Sequence, residues 1–333
     1  MKKEEDALCP LSVVSDQVRL RWISGAIAEL IDIPKKHLRK AFAIISIPRL
    51  KTVILRKGEL VERTFLFGFM NYVIKEKDKD RKILEPHPDV QKVYVKIKEW
   101  LEKVTTAHDR AFGFVKNRNS KKATESLESL FEGGHHIAFD IADAFPSITE
   151  EMVKEALLRL EIEVDMAEVL AWFVTYNYQG KRRLPQGASS SPSFLNLVYK
   201  SMCEEIDGVC IANGIKWSVY VDDFNFAAQS ISLEVKQSLL AIPSKFGFSI
   251  KPKKTKDNLG KTIPHLLGLT IVDGKIHLSR QQKKKFRRIF YSAVKYRAYP
   301  PEVVRGIMMY IHHIYGEKKN WPGWLIKMGG TQS

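Results

Sequence analysis

Cysteine is scarce in this sequence: the 333 residues hold only Cys9, Cys203 and Cys210, and no two of them form a CxxC pair. That excludes a disulfide framework and a four-cysteine zinc site, and it fits a reducing cytoplasm. Long apolar runs are missing too. No stretch approaches the roughly 20 residues needed to span a bilayer. The start, MKKEEDALCP, has two lysines with no apolar core behind them, unlike a secretory signal. No membrane partner is expected. Acidic residues are outnumbered, 38 Asp and Glu against 54 Lys and Arg, for a formal net charge of +16. A polyanionic partner follows, nucleic acid first. Internal repeats, low-complexity tracts and Gly/Ser linkers are also absent. With 44% apolar and 28% charged residues, the composition is that of a folded chain able to build two or three packed subdomains.

Residues 1 to about 60 read as helical, with amphipathic stretches around Val18–Ile31 and Lys35–Ile45 broken by Pro34 and Pro48. The apolar, aromatic run Thr64–Ile74, the charged turn Lys75–Asp80 and a second run from Arg81 predict a hairpin with a basic tip. Pro86 and Pro88 close it, and Val90–Val104 returns to helical spacing. From His136 the pattern changes to short apolar strands that end in acids. Ile137–Phe139 runs into Asp140; Ser218–Val221 runs into Asp222 and Asp223, and Asn225–Ala228 leads away. Helical stretches, Glu150–Leu160 and Ser193–Ala212, fall between them, and Ser279–Tyr315 is a basic helical tail. This alternation describes an α+β sheet domain covered on one face.

The acids carry the chemistry. Several carboxylates brought together raise one another's pKa, so a fold keeps such a cluster mainly where a cation neutralises it. Magnesium prefers hard oxygen ligands, keeps waters, and suits two or three aspartates plus substrate phosphates. Two such ions can activate a 3′-hydroxyl and stabilise a leaving pyrophosphate. A lone Asp-Asp pair is more often a solvated turn, and only ordered companion motifs tip the balance.

Those companions are present. Phe139-Asp140-Ile141-Ala142-Asp143-Ala144-Phe145, Leu184-Pro185-Gln186-Gly187 with Ser191-Pro192 and Asn196-Leu197, Tyr220-Val221-Asp222-Asp223, Gly247-Phe248 with Lys254-Thr255, and His265-Leu266-Leu267-Gly268-Leu269 follow in that order. Over residues 64–275 the chain resembles the prokaryotic reverse transcriptases related to retrons and group II introns. Lys122-Ala123-Thr124-Glu125-Ser126, Val221 and Ser189 depart from the usual retron pattern and point to a divergent, defence-associated branch.

The resemblance implies a right-hand polymerase fold of the α+β class with fingers, palm and a helical thumb. It divides the chain into an N-terminal helical extension (1–60), fingers (61–135), palm (136–275, with a fingers-type helical insertion at about 150–185) and a helical thumb and tail (276–333). No room is then expected for an RNase H, maturase or endonuclease domain. The implied catalytic acids are Asp140, Asp222 and the supporting Asp223; with the Ile141 carbonyl they would hold two Mg2+ ions, Mn2+ being a substitute. Arg81, with Lys75 as the weaker candidate, matches the hairpin base that contacts the incoming triphosphate; a guanidinium fork grips phosphate as a lysine cannot. Asp143, Ala144 and Phe145 line the nucleotide, Phe145 as a steric gate against a ribose 2′-hydroxyl. Gln186 and Gly187 touch nucleotide or template, and Lys254 protonates the leaving pyrophosphate. Arg118 is assigned to nucleic acid. On the tail, Lys284, Arg287 and Arg288 form a basic stripe beside the apolar Phe286, Ile289 and Phe290, suited to duplex phosphates. The blander readings are a solvated hairpin tip, a core aromatic at Phe145, a solvated lysine run and a solvated helix face. His312, His313, Trp321 and Trp324 read as packing residues.

The function implied is RNA-directed DNA synthesis from dNTPs in the cytoplasm, on a dedicated structured noncoding RNA, giving a DNA product in antiphage defence alongside an accessory effector protein. Two alternatives stay open: template-independent or homopolymer synthesis on the same fold, and a catalytically inactive RNA-binding scaffold.

Overall fold

The computed structural model describes residues 24–47, 49–56, 59–74, 81–127, 134–178, 180–252, 255–258, 266–272 and 274–325. Two helices come first, α1 (24–30) and α2 (Lys35–Ser46). Strands β1 (Leu50–Arg56), β2 (Glu59–Phe65), β3 (Phe69–Ile74) and β4 (Arg81–Pro86) follow, then α3 (Pro88–Val104) and α4 (Ser120–Glu125). Next are β5 (His135–Asp140), α5 (Ala144–Ser147), α6 (Glu150–Leu158), α7 (Val164–Val174), β6 (Tyr176–Tyr178), β7 (Lys181–Arg183) and the long α8 (Ser191–Ala212). Last come β8 (Lys216–Tyr220), β9 (Asp223–Ala228), α9 (Leu233–Lys245), β10 (Lys256–Asp257), β11 (Leu269–Val272), β12 (Lys275–Leu278), α10 (Arg280–Tyr296) and α11 (Pro301–Tyr315). The chain divides into two compact units, Met1–His108 with Ala142–Cys203 and Asp109–Ile141 with Glu204–Ser333.

In the first unit, α2 buries Leu38, Ala41, Ile44 and Ile45 and packs on α3, which buries Val90, Val93, Tyr94, Ile97, Trp100 and Leu101. The helix α3 starts where the sequence dictates: Pro88 fills its first turn and the His87 ring accepts from the Asp89 amide at 3.2 Å. Strands β3 and β4 form the expected hairpin, paired from Phe69↔Pro86 to Ile74↔Arg81. One expectation fails here. Residues 50–60 are not helical: β1 pairs with β2 from Leu50↔Phe65 to Arg56↔Glu59. The β-branched run Thr52-Val53-Ile54 prefers a pleated strand, and a partner strand lies immediately downstream.

The second unit is built on a four-stranded antiparallel sheet, order β10-β5-β9-β8. Strand alternation sorts its residues onto two faces. Phe139, Phe224, Phe226 and Trp217 stack into an aromatic slab, with ring centroids 5.1 Å apart for Phe139–Phe224 and 6.2 Å for Trp217–Phe226. The other face carries His136, Ala138 and Asp140 of β5 opposite Ala227, Asn225 and Asp223 of β9. Helices α10 and α11 and the β11–β12 hairpin close a separate small core of Leu269, Leu278, Phe286, Phe290, Ile311, Ile314 and Leu325, with Trp321 and Trp324 packed against it. Phe286, Ile289 and Phe290 are buried on α10 while Lys284, Arg287 and Arg288 are exposed, as the helical pattern predicts. Among the described residues no helix is long and apolar enough to cross a membrane.

Candidate active site

Asp140 ends β5 and Asp223 begins β9, and the ladder sets the two opposite each other. Tyr220 also pairs with Asp223, which leaves Val221 and Asp222 as a two-residue hairpin turn. Such turns need a positive φ at the first central position, normally supplied by glycine. Here Val221 takes it, at φ 63°. A β-branched residue in that region is strained by about 1–3 kcal/mol, a cost that persists where surrounding contacts over-determine the backbone. One such contact is the Ile141 amide, which donates to the Asp222 carbonyl at 2.9 Å. The three acids and Ile141 thus share one strand end.

A lysine completes the cluster. The Lys251 amide donates to the Asp140 carbonyl at 2.8 Å, which returns its side chain over the acids. Its Nζ stands 3.2 Å from an Asp222 carboxylate oxygen and 4.0 Å from one of Asp140. Lys251 was legible only as one of several lysines between 251 and 256; its distinguishing feature is the bridge Ile141↔Ile250 just before it.

Asp223 is half-buried beside them. Burial, then the neighbouring Asp140 charge, pushes its carboxyl up to about 6, against the opposing effect of an Asn225 hydrogen bond. The Asn225 amide donates to Asp223 Oδ1 at 2.9 Å, and its carbonyl oxygen lies 3.2 Å from His136 Nε2. Burial holds His136 down at about 4, so the ring is neutral at pH 7 and its Nε2–H donates to Asn225. The polar chain His136–Asn225–Asp223 therefore fixes one carboxylate from behind. Nothing in the linear sequence singled out His136 or Asn225 except their places on strands next to the acids.

In the first unit, Gly187 has φ 135° and a Cβ there would lie 2.5 Å from the Leu84 carbonyl. The Leu84 amide in turn donates to the Gln186 carbonyl at 2.8 Å. The glycine is required by close approach to β4, the strand that Arg81 begins. Asp143 takes a left-handed conformation (φ 45°) at the start of α5; Ala144 is buried and Phe145 half-buried. Only the backbone of Arg81 is described, while Lys75, Lys254 and His265 lie outside the described residues. Arg118 directs its guanidinium inward, to the carbonyls of Asp109 at 3.0 Å and Ala111 at 2.8 Å.

Among the described residues no group of three or more His, Cys, Asp or Glu side chains forms a ready cage for a metal ion. What the cluster offers is two carboxylates, those of Asp140 and Asp222, on one cation, Lys251. That donor set suits a hard divalent ion held by one or two carboxylates and completed by substrate phosphates.

The chain matches the family described as Reverse transcriptase (RNA-dependent DNA polymerase) over residues 73–271, more than half its length. The retron Ec83 reverse transcriptase of Escherichia coli is 27% identical over 219 residues, 61% of this chain and 68% of that protein. The retron Ec86 reverse transcriptase of the same organism is 30% identical over 174 residues, 52% of this chain and 53% of the relative, so the chain spans 53% of one of these proteins and 68% of the other. Among solved structures, apo telomerase from Candida tropicalis is 14% identical with a TM-score of 0.48, covering 67% of this chain and 51% of that one. The acids and their order, the antiparallel sheet that presents them and the family match agree: the chain belongs to the reverse transcriptases, the RNA-directed DNA polymerases of right-hand fold, among their prokaryotic, retron-like members.

Proposed function

We propose that this protein extends a primer or priming group with dNTPs on an RNA template by two-metal phosphoryl transfer, and that Asp140, Asp222 and Asp223 carry the reaction. The single observation behind this reading is the strand-end cluster, in which Asp140 faces Asp223 across β5 and β9 while Asp222 occupies the turn. When bound there, two Mg2+ ions, or Mn2+ in their place, would supply activation of the 3′-hydroxyl and charge neutralisation at the departing pyrophosphate. Asp140, Asp222 and the Ile141 carbonyl would hold those ions, and Asp223, anchored through Asn225, would support them. Arg81 and Lys75 receive the triphosphate. Phe145 excludes a 2′-hydroxyl, Gln186 and Gly187 seat nucleotide and template, and Lys254 donates a proton to the leaving group. The assignment to fingers (61–135), palm (136–275) and thumb (276–333) belongs to the same proposal.

The template we propose is a dedicated structured noncoding RNA, held in part by Lys284, Arg287 and Arg288, with synthesis serving antiphage defence beside an effector protein in the cytoplasm. The net charge of +16 and the retron names of the relatives support this. The test is the double variant Asp222→Asn, Asp223→Asn, assayed for dNTP incorporation on a primed RNA. Incorporation should vanish while RNA binding and a cooperative unfolding transition persist. Wild-type synthesis by that variant would end the two-metal assignment.

A further inference from the structure

The strained turn at Val221 is held at its ends by β8 and β9 and at Asp222 by the Ile141 amide, and the strain at Val221 itself calls for a further support. The segment before α4 supplies one. Residue Ala111 forms a parallel bridge with Val219 of β8. The Val219 amide donates to the Arg110 carbonyl and the Phe112 amide to the Val219 carbonyl, each at 2.8 Å. The chain thus runs along β8 as a strap and reaches the turn at Gly113. A Cβ on Gly113 would lie 2.5 Å from the Val221 nitrogen, 2.7 Å from Val221 Cγ2 and 3.2 Å from the Tyr220 carbonyl carbon. Gly113 is not among the residues of positive φ, so its own backbone does not demand glycine. The close approach does.

The far end of the strap is locked by Arg118. Its Nη1 donates to the Asp109 and Ala111 carbonyls, at 3.0 and 2.8 Å, and its Nη2 to the Asp109 carboxylate at 3.2 Å. Its guanidinium carbon stands 5.9 Å from the Phe112 ring centroid. A planar fork is what two nearby carbonyls and a carboxylate require, and an ammonium does not reproduce it. Arg110 adds a second anchor, 3.8 Å from the Asp207 carboxylate that also accepts from the Trp217 indole at 2.7 Å.

We infer that the strap of residues 109–118 is a positioning device for the catalytic turn: Arg118 and Gly113 set the place of Asp222, and Arg118 acts on chemistry rather than on nucleic-acid retention. This rests on the polymerase reading for its kinetic consequence, while its geometric core concerns the acid cluster alone. A displacement of a catalytic group by about 1 Å can cost roughly 100-fold in rate, and a Gly113→Ala Cβ 2.5 Å from the Val221 nitrogen, where an ordinary contact is 3.4 Å or more, forces a shift of about that size.

The test compares full-length Arg118→Gln, Arg118→Lys and Gly113→Ala with the wild type. Three quantities are read: Mn2+ binding by electron paramagnetic resonance, kcat and KM for dNTP, and RNA affinity as a function of salt. All three variants should lose kcat by tenfold or more and bind Mn2+ several-fold more weakly, with KM, RNA affinity and its salt slope within twofold of wild type. Arg118→Lys is decisive if Gly113→Ala fails to fold, because it keeps a cation for phosphate but loses the fork. Wild-type kcat and Mn2+ binding in Arg118→Lys would overturn the inference. So would an Arg118→Gln protein whose salt slope falls by about one at unchanged Mn2+ affinity, the mark of a phosphate contact. A wild type that incorporates no nucleotide defeats the polymerase reading instead, and Mn2+ binding still decides the role of the strap.

Discussion

Asp223→Asn should make the metal-free protein more stable, even though it damages the enzyme. The Asp223 carboxyl stands near 6 in the folded chain against an ordinary value of 3.8. A rise of about two units corresponds to about 3 kcal/mol between protonation states. The sign follows from proton binding. Because the folded state holds this proton more tightly than the unfolded one, the contribution to stability is fully present below 3.8 and is lost as pH rises through 6. At pH 7 to 8 the wild type therefore bears the whole cost of an ionised Asp223 beside Asp140. An asparagine keeps an acceptor for the Asn225 amide, now 2.9 Å from Asp223 Oδ1, and removes the charge. Its new amide donor offsets part of the gain, leaving a net of about 1–3 kcal/mol. For a domain of this size that is on the order of 2–10 °C in Tm. The assay is denaturant or thermal unfolding in chelator from pH 8 to 4, read as the difference between variant and wild type. The gap should be widest above pH 7 and close toward pH 4. At saturating Mg2+ the order should reverse, since the wild type gains more from ligand binding. An Asp223→Asn protein less stable than wild type in chelator at pH 8, or a gap that does not change with pH, would refute the reasoning.

Three further outcomes are expected. Lys251→Met removes the ammonium 3.2 Å from Asp222, so the metal-free protein should lose about 1 kcal/mol while Mn2+ binds several-fold tighter by titration, a competing cation having gone. Phe145→Ala should admit ribonucleotides, measured as the ratio of kcat/KM for dNTP over NTP; an unchanged ratio makes Phe145 a packing residue. Reversing the charge of Lys284, Arg287 and Arg288, all exposed on α10, should weaken RNA retention and flatten its salt dependence while Mn2+ binding stays at the wild-type level.

The elements whose chemistry lies in contiguous residues were legible in the sequence. Strands ending in Asp140 and leading into Asp222, the β3–β4 hairpin, and the divided faces of α10 all follow from period and punctuation. The β1–β2 hairpin was not: a helical reading of residues 1 to about 60 covers the β-branched run Thr52-Val53-Ile54, whose strand form depends on its pairing with β2. Lys251 could not be told from its neighbours, since its selection depends on a bridge to Ile141 made by a chain segment far along the sequence. His136 and Asn225 are likewise meaningful only through the ladder that pairs their strands, and the reason for glycine at 113 is an approach to Val221.

The register of β5 against β9 has a bearing on how this chain tolerates change. A slip of one residue would exchange the two faces of β5, moving Phe139 out of the aromatic slab and Asp140 into it. The same ladder that assembles the reaction centre is thus the one that keeps a carboxylate out of the hydrocarbon interior. Intermediate failures are accordingly narrow. Variation within the paired stretch Ile137–Phe139 and Phe224–Phe226 should deplete recoverable protein, whereas variation at the strand tips, Asp140, Val221 and Asp222, should leave abundant, well-folded and silent protein. A deep library of this chain, sorted once by abundance and once by synthesis, would then separate along the length of a single strand pair.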